Sequence, residues 1–456
     1  MDRIPLPKTP PDWVYQYGSP WGGVLMAVLV TLALWHYRPR GEALQRFVYW
    51  GAWGLGLLAV GIHCLTIELL GAFNDVNMLL ASCYGLWHLP VEHPEAALEL
   101  WTLPLFETPP TAYWEPFATG DWPYMRYHVA LLEEARSFAF ARILAIPFGL
   151  VGGNFYALTV LVAGAGHWAS RWWATRLAHA VPNWAWIAHL ALLVPTSLFW
   201  TAGLYKESVL WVGSAWVAMC TLCLVRTLQK HSYWPALGWA VVAGGVAVLT
   251  AAVKPFWALA LVASLAGTWG AYRAWQLQGW ARGVVLVALV LGAVWVLALS
   301  PFRLSRVVAE VAYLEHDLSQ QSAGSPLNRR VSGVGPTTVA DLLLSLPAGA
   351  FTGLYRPLPG ELRGVVGWAL GLERFGLLVL TGVLLAAGRP WRGFAARICA
   401  RPWVIACAGF ALIYAALLAL STPNYGTLSR YMAVVWPAWA AAVVGLCAPL
   451  PHAKNG

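Results

Sequence analysis

Long stretches of this chain carry no charge. Residues 184–203 contain no Asp, Glu, Lys or Arg, and neither do residues 208–225. Over all 456 residues only 11% are charged, against 59% hydrophobic. That balance excludes an ordinary soluble globule, in which about a quarter of the residues are charged. At about 1.5 Å rise per residue, an uncharged run of about 20 residues crosses most or all of a bilayer as a helix. Acidic residues are the scarcer sign: 20 Asp and Glu stand against 29 Lys and Arg, a net charge of +9. No compact basic domain with interleaved aromatics holds that excess. Most Arg and Lys sit at the ends of apolar runs, which excludes nucleic acid as a partner. Cysteine is sparse too. Cys64, Cys83, Cys220, Cys223, Cys399, Cys407 and Cys447 form no secreted disulfide pattern. Cys220 and Cys223 have redox-motif spacing but no second pair or neighbouring histidine. A Gly-rich phosphate loop with a following Lys, Gly-x-Ser-x-Gly and His-Glu-x-x-His are all missing, which removes ATP as a donor and the common hydrolytic motifs. His63, His167, His179 and His189 show no clear axial pairing, which argues against haem.

What remains is apolar sequence in windows of helical length. Candidate spans fall roughly at 21–37, 47–69, 142–165, 183–203, 208–226, 235–253, 256–272, 283–300, 364–386, 403–420 and 431–448. The expected fold is all-α: a polytopic membrane protein of about 11 transmembrane helices, one integral-membrane domain over residues 1–456. The first run lacks a basic n-region and a small-residue cleavage site, so it reads as a retained span. The 29 tryptophans suit interfacial belts and helix packing. Basic connectors alternate along the chain: Arg38, Arg40 and Arg46; Arg171 and Arg176; Arg226 and Lys230; Arg273 and Arg282; Arg389, Arg392, Arg397 and Arg401. With 11 spans they share one side, and the positive-inside bias makes that side cytoplasmic. The expectation is a multi-pass membrane protein, N-terminus outside and C-terminus inside.

The opposite face then receives the polar features. Two long extracytoplasmic segments, 70–141 and 301–363, carry short amphipathic helices, and connections of that length are seldom idle. In the first, Gly120-Asp121-Trp-Pro is turn chemistry ahead of Tyr124, Arg126, Tyr127 and His128. Asp121 either caps a surface helix or serves as a general base or metal ligand, with Asp75 a weaker candidate. In the second, Arg303 precedes a Gly- and Ser-rich stretch near 320–335, and a short helix over 339–345 is expected to end before Pro347. Prolines stiffen the turn at 353–361, which holds Tyr355, Arg356 and Glu361. The last loop, 421–430, turns at Asn424 and Gly426 and places Tyr425 and Arg430 at the mouth of the final span. The Lys206-Glu207 pair lies between two uncharged runs, and Lys254 ends another. Such charges need water, a partner or a ligand. The plain alternatives are a wet loop for Lys206-Glu207 and snorkelling for Arg430.

Taken together, Lys206, Lys254, Arg303, Arg356 and Arg430 are candidate phosphate-binding cations, and Asp121 and Glu207 candidate catalytic carboxylates. Tyr124, Tyr355 and Tyr425 offer faces for sugar rings. A divalent ion shielding a leaving phosphate is the cofactor this chemistry admits, with its ligands unassigned. A lipid-linked sugar is the substrate that needs all of this at a membrane surface.

Three stretches carry a resemblance. Residues 193–207, running from Leu-Val-Pro195 to Lys206-Glu207, then Leu354-Tyr-Arg356-Pro-Leu-Pro-Gly-Glu361, and Asn424-Tyr-Gly-Thr-Leu-Ser-Arg430-Tyr431 resemble signatures of bacterial surface-polysaccharide assembly proteins. These are integral-membrane glycosyltransferases of the polyprenyl-phosphate-sugar-dependent class and polymerases of the O-antigen type. The resemblance implies an all-helical fold, an undecaprenyl-linked donor within membrane lipid, and a site facing away from the cytoplasm. In a polymerase-like site Arg356 and Arg430 would hold diphosphate groups. The chain departs from the glycosyltransferase pattern where its first large outer segment follows the second span, and where Asp121 stands without an acidic neighbour. Two other classes stay open. One is a lipid-linked-glycan transporter, although no inverted repeat or matching pair of broken spans is visible in the two halves. The other is a non-catalytic subunit that docks membrane-protein partners.

Overall fold

Glycine, proline and a few buried arginines decide where the apolar runs bend and what they touch. The computed structural model describes residues 18–36, 38, 43–70, 76, 79–80, 82–83, 86–87, 94–108, 135–182, 194–276, 304–321, 336–391 and 393–449. Sixteen helices are defined among them: α1 (Pro20–His36), α2 (Ala43–Leu70), α3 (Pro94–Thr102), α4 (Ala135–Leu150), α5 (Phe155–Ala180), α6 (Pro195–Thr201), α7 (Lys206–Gln229) and α8 (Tyr233–Val253), then α9 (Pro255–Gln276), α10 (Leu304–Gln321), α11 (Val339–Tyr355), α12 (Gly364–Gly388), α13 (Phe394–Ala400), α14 (Trp403–Ser421), α15 (Tyr425–Met432) and α16 (Trp436–Cys447). The chain divides into two compact units, Met1–Trp172 with Leu198–Pro255, and Trp173–Ser197 with Phe256–Gly456.

The all-helical expectation holds, but the count of about 11 spans is overturned. Among the described residues five helices are long and apolar enough to cross a membrane: Gln45–Thr66 in α2, Lys206–Leu224 in α7, α8, α12 and α14. Counting each sharply bent helix pair as one span gives at most seven. The reasons are local. The run at 142–165 breaks at Gly152 and Gly153, both left-handed at φ 65° and 73°, and α4 and α5 meet at 111°. The run at 431–448 is interrupted at 433–435, so α15 and α16 are bent by 58°. Helix α1 has 17 residues; at about 25 Å it falls short of a hydrocarbon core about 30 Å thick. Among the described side chains of α9 the apolar stretch is Pro255–Leu265. Residues 183–193 and 283–300 lie outside the described residues.

In the first unit the core gathers Trp53, Phe138, Leu144 and Leu158 from α2, α4 and α5. Buried Arg142 ties the first long segment to that core. Its guanidinium lies 4.5 Å over the Phe138 ring and donates to the carbonyls of Leu100, Leu103 and Pro104 at 3.4, 2.7 and 3.5 Å. The Leu100 and Leu103 carbonyls lie at the C-terminal end of α3, where helical partners run out, and the Pro104 carbonyl also accepts from the Glu107 N–H at 3.1 Å. Helices α7 and α8 form an antiparallel hairpin, closed by a turn with His231 at φ 55°. Gly213 lies against Thr250, which lets the two backbones approach. The hairpin returns Lys254 to the end where Lys206 and Glu207 begin α7.

In the second unit α11 packs along α14 through two glycines. A Cβ at Gly353 would stand 2.6 Å from the Ala415 carbonyl oxygen, and one at Gly349 3.1 Å from that of Ala416. Helix α11 therefore runs through Pro347 to Tyr355, where a helix ending before that proline was expected. One lost backbone hydrogen bond is outweighed by the close seat on α14. Helix α10 buries Val307, Val308 and Val311 against Leu342 and Leu417, so much of the second long segment is packed helix. At the other end of this unit Arg397 donates to the carbonyls of Leu446 and Ala448 at 2.8 and 2.7 Å, and Arg401 to those of Gly445 and Pro449 at 2.8 and 2.6 Å. Together they close the C-terminal end of α16 with positive charge.

Thr338 starts α11 with a capping box. Its hydroxyl accepts from the Asp341 N–H at 3.1 Å, and the Asp341 carboxylate accepts from the Thr338 N–H and the Thr337 hydroxyl at 3.0 Å each. The Thr338 hydrogen bond, then the Thr337 one, holds the Asp341 pKa below the usual carboxylate value. A depressed folded value means that this contribution is complete above the unfolded carboxylate range and is lost as pH falls through the folded one. Amide-exchange protection at the start of α11 should therefore weaken on acidification below about pH 4. Asp341→Ala should show the weakened protection at neutral pH and respond little to acid; an unchanged acid response in that variant would rule the cap out as its source.

Candidate functional site

Within the first unit, the turn between α6 and α7 assembles a polar cluster. A Cβ at Gly203 would meet the Tyr205 ring at 2.5 Å and His63 Nε2 at 2.9 Å, so any larger residue would have to displace those rings. The Ser208 hydroxyl donates to the Gly203 carbonyl at 2.5 Å and pins it. His63 Nε2 lies 2.9 Å from the Phe199 carbonyl, which can only accept, so that nitrogen carries the proton. The Tyr205 hydroxyl then stands 3.4 Å from Nδ1, the ring's acceptor. Phe199, Trp200 and Tyr205 surround the imidazole with ring centroids 4.1, 6.1 and 5.2 Å away.

Lys206 opens α7 and donates to the Ser137 hydroxyl at 3.0 Å. Glu207 is only 1% exposed, and the Lys254 ammonium stands 3.6 Å from its Oε1. The Lys206-Glu207 step is thus no wet loop; its carboxylate is inside the protein, ion-paired to the end of α8. From this cluster an apolar groove of about 230 Å³ runs between α7 and α8, with α4 and α5 on its other side. It begins at Ser208 and Thr250 and continues past Val209, Val212, Trp216 and Leu249. Trp216 and Leu249 are exposed, so the groove opens on the protein surface.

Within the second unit, Arg356 follows α11 and is folded onto Glu361. Its Nε donates to the two carboxylate oxygens at 2.9 and 3.1 Å, and its Nη2 stands 2.7 Å from Oε1. The same carboxylate accepts from the Leu358 N–H at 2.9 Å and closes the turn. The Glu361 hydrogen bonds push the Arg356 pKa up, so its charge is permanent but locally neutralised. The guanidinium lies 6.0 Å over the Tyr425 ring. Asn424 caps α15, accepting from the Gly426 and Thr427 N–H groups at 2.8 and 3.3 Å. Arg430, on the same helix, lies 5.2 Å over the Tyr431 ring. Tyr355 and Tyr425 are buried and offer no open face in this structure. The Tyr355 hydroxyl accepts from Trp439 Nε1 at 2.8 Å, and burial pushes its pKa up.

The expected site residues therefore form two groups: Lys206, Glu207 and Lys254 in one unit, Tyr355, Arg356, Tyr425 and Arg430 in the other. Asp121, Tyr124 and Arg303 lie outside the described residues. Among the described residues no group of three or more His, Cys, Asp or Glu side chains comes together.

Sequence reasoning passed over Glu373 and Arg374, inside α12. The Glu373 carboxylate accepts from the Thr196 hydroxyl at 2.6 Å and the Thr196 N–H at 3.1 Å. Arg374 is 1% exposed, donates to the Ser429 hydroxyl at 3.4 Å and lies 5.3 Å over the Trp436 ring. The signal was an adjacent acid and base within an apolar run, the same pattern that marked Lys206-Glu207.

No family model, no curated protein and no solved structure matches this chain. The fold itself defines a multi-helical protein with five, or up to seven, apolar spans of membrane-crossing length among the described residues.

Proposed function

We propose that this protein transfers a sugar or glycan from a polyprenyl-phosphate-linked donor to an acceptor at the extracytoplasmic face of the bacterial inner membrane. The junction of a charged cluster with an apolar groove carries the reading. Lys254 supplies a cation 3.6 Å from the buried Glu207 carboxylate, Lys206 precedes Glu207 in the chain and donates to Ser137, and the groove starts one residue from Glu207 and one turn from Lys254. A donor with an anionic head and a hydrocarbon tail matches both parts. The N-terminal end of α7 adds a partial positive charge toward its phosphate. In the reaction an acceptor hydroxyl attacks the anomeric carbon and the bond from that carbon to the phosphate oxygen breaks. Polyprenyl phosphate leaves with the electron pair, and Glu207 takes the hydroxyl proton. Asp121 is the second carboxylate assigned to this chemistry, and a growing glycan as acceptor would make the protein a polymerase.

The two sharply bent helix pairs favour one further reading, transport of a lipid-linked glycan, because broken spans recur in transporters. The full chain in lipid nanodiscs, supplied with a synthetic polyprenyl-phosphate sugar and a glycan acceptor, separates the two. Mass spectrometry should find a new glycosidic bond and free polyprenyl phosphate. Movement of intact donor between leaflets would replace transfer with transport, and absence of both binding and turnover would overturn the proposal.

A further inference from the structure

The geometry points to a separate oxyanion site in the second unit, built from Arg374, Trp436 and Ser429, that takes a phosphate group. Arg374 is 1% exposed and Trp436 2%, yet Arg374 Nη1 and Trp436 Nε1 have no hydrogen-bond partner among the described residues. These are donors, one of them charged, and leaving them buried without an acceptor is costly. The nearest carboxylate in sequence, Glu373, has both oxygens on Thr196. Ser429 accepts from Arg374 Nη2, so its own hydroxyl hydrogen can point to a third species.

Arg374 lies against Trp436, the first residue of α16, whose N-terminal end is partially positive. That end follows the break at Ala433, Val434 and Val435, all buried. Irregular backbone at membrane depth persists where protein encloses it or where it lines a cavity. Gly371, one turn before Arg374, would bring a Cβ 3.0 Å from Pro359, so the site lies next to the Arg356–Glu361 turn. Donors arriving from α12, α15 and the start of α16 suit an anion with several oxygens. Arg356 cannot supply this function, because Glu361 already neutralises it. A phosphate could belong to a lipid headgroup or be free in solution, and the test separates these sources.

The full chain in nanodiscs of zwitterionic lipid is titrated with inorganic phosphate and, separately, with farnesyl phosphate, reading the thermal midpoint and the affinity. Wild type should be stabilised by at least one probe: by farnesyl phosphate alone if the anion is a lipid headgroup, by both if free phosphate suffices. Arg374→Met should bind at least about tenfold more weakly. Its ligand-free midpoint should be at or above wild type, because a buried guanidinium whose Nη1 has no acceptor among the described residues has been removed. Trp436→Phe removes one N–H and keeps the ring, and should weaken binding about threefold to tenfold. Should Arg374→Met fail to fold, the Trp436→Phe affinity decides. No stabilisation of wild type by either probe, or unchanged affinity in Trp436→Phe, overturns the site. Because farnesyl phosphate also fits the groove beside Lys254, the affinity lost in Arg374→Met and Trp436→Phe, rather than stabilisation of wild type alone, reports this site, and neither variant touches the residues assigned to sugar transfer.

Discussion

Glu207→Gln is expected to slow sugar transfer by roughly 10²–10⁴-fold, the range over which a positioned acid or base contributes. The amide is nearly isosteric with the carboxylate, so the packing around a side chain only 1% exposed should survive. What it loses is the capacity to take a proton and the charge facing Lys254 at 3.6 Å. Donor affinity should change by only a few-fold, because the cations that meet the phosphate remain. The competing account makes Glu207 merely the ion-pair partner of Lys254. Under that account the double variant Glu207→Gln, Lys254→Met removes the pair together and should recover stability, since replacing a buried pair is often neutral. Recovery of folding without recovery of turnover is the expected result. Turnover of the single variant within tenfold of wild type would end the general-base assignment.

Gly353→Val should be the most damaging single change to the fold of the second unit. The first added carbon would lie 2.6 Å from a backbone oxygen and 3.0 Å from the Ala415 Cβ. Neither atom is the free end of a flexible side chain, so α11 and α14 must separate. Over-packing of this kind costs about 3 kcal/mol, and the protein should be lost from membranes or melt well below wild type. Gly376→Ala is the contrast: nothing lies within 4 Å of its Cβ position, and alanine within a helix should gain about 1 kcal/mol. Equal stability of the two variants would remove the close seat as the reason α11 continues through Pro347. Because Arg356 follows Gly353 by three residues, the same change should also disturb its pairing with Glu361.

Length and apolarity alone made α2, α7, α8, α12 and α14 legible, because crossing a membrane is a matter of uncharged length. The breaks were not legible. Gly152 and Gly153 turn the chain through left-handed backbone, while Gly244 and Gly245 sit inside the uninterrupted α8. Glycine permits both outcomes, and tertiary contacts choose between them. Proline behaves similarly: Pro347 lies within α11, whereas Pro437 helps to start α16. The alternation of basic connectors was counted over 11 runs, some of which the chain bends or shortens. Within the candidate site, the positions of Lys206, Glu207 and Lys254 could be read from charges bordering apolar runs. The depth of Glu207 could not, because it depends on the α7–α8 hairpin. Arg374 was visible by the rule that marked Glu207. Its meaning came only from Ser429 and Trp436, more than fifty residues away in the chain.

The ion pair of Arg356 with Glu361 has an electrostatic consequence for how ligands arrive. A turn whose only fixed charges cancel at 2.7 Å has almost no field beyond its own dimensions. Dissolved salt has little there to screen, so approach to that turn is governed by shape and desolvation rather than by long-range attraction.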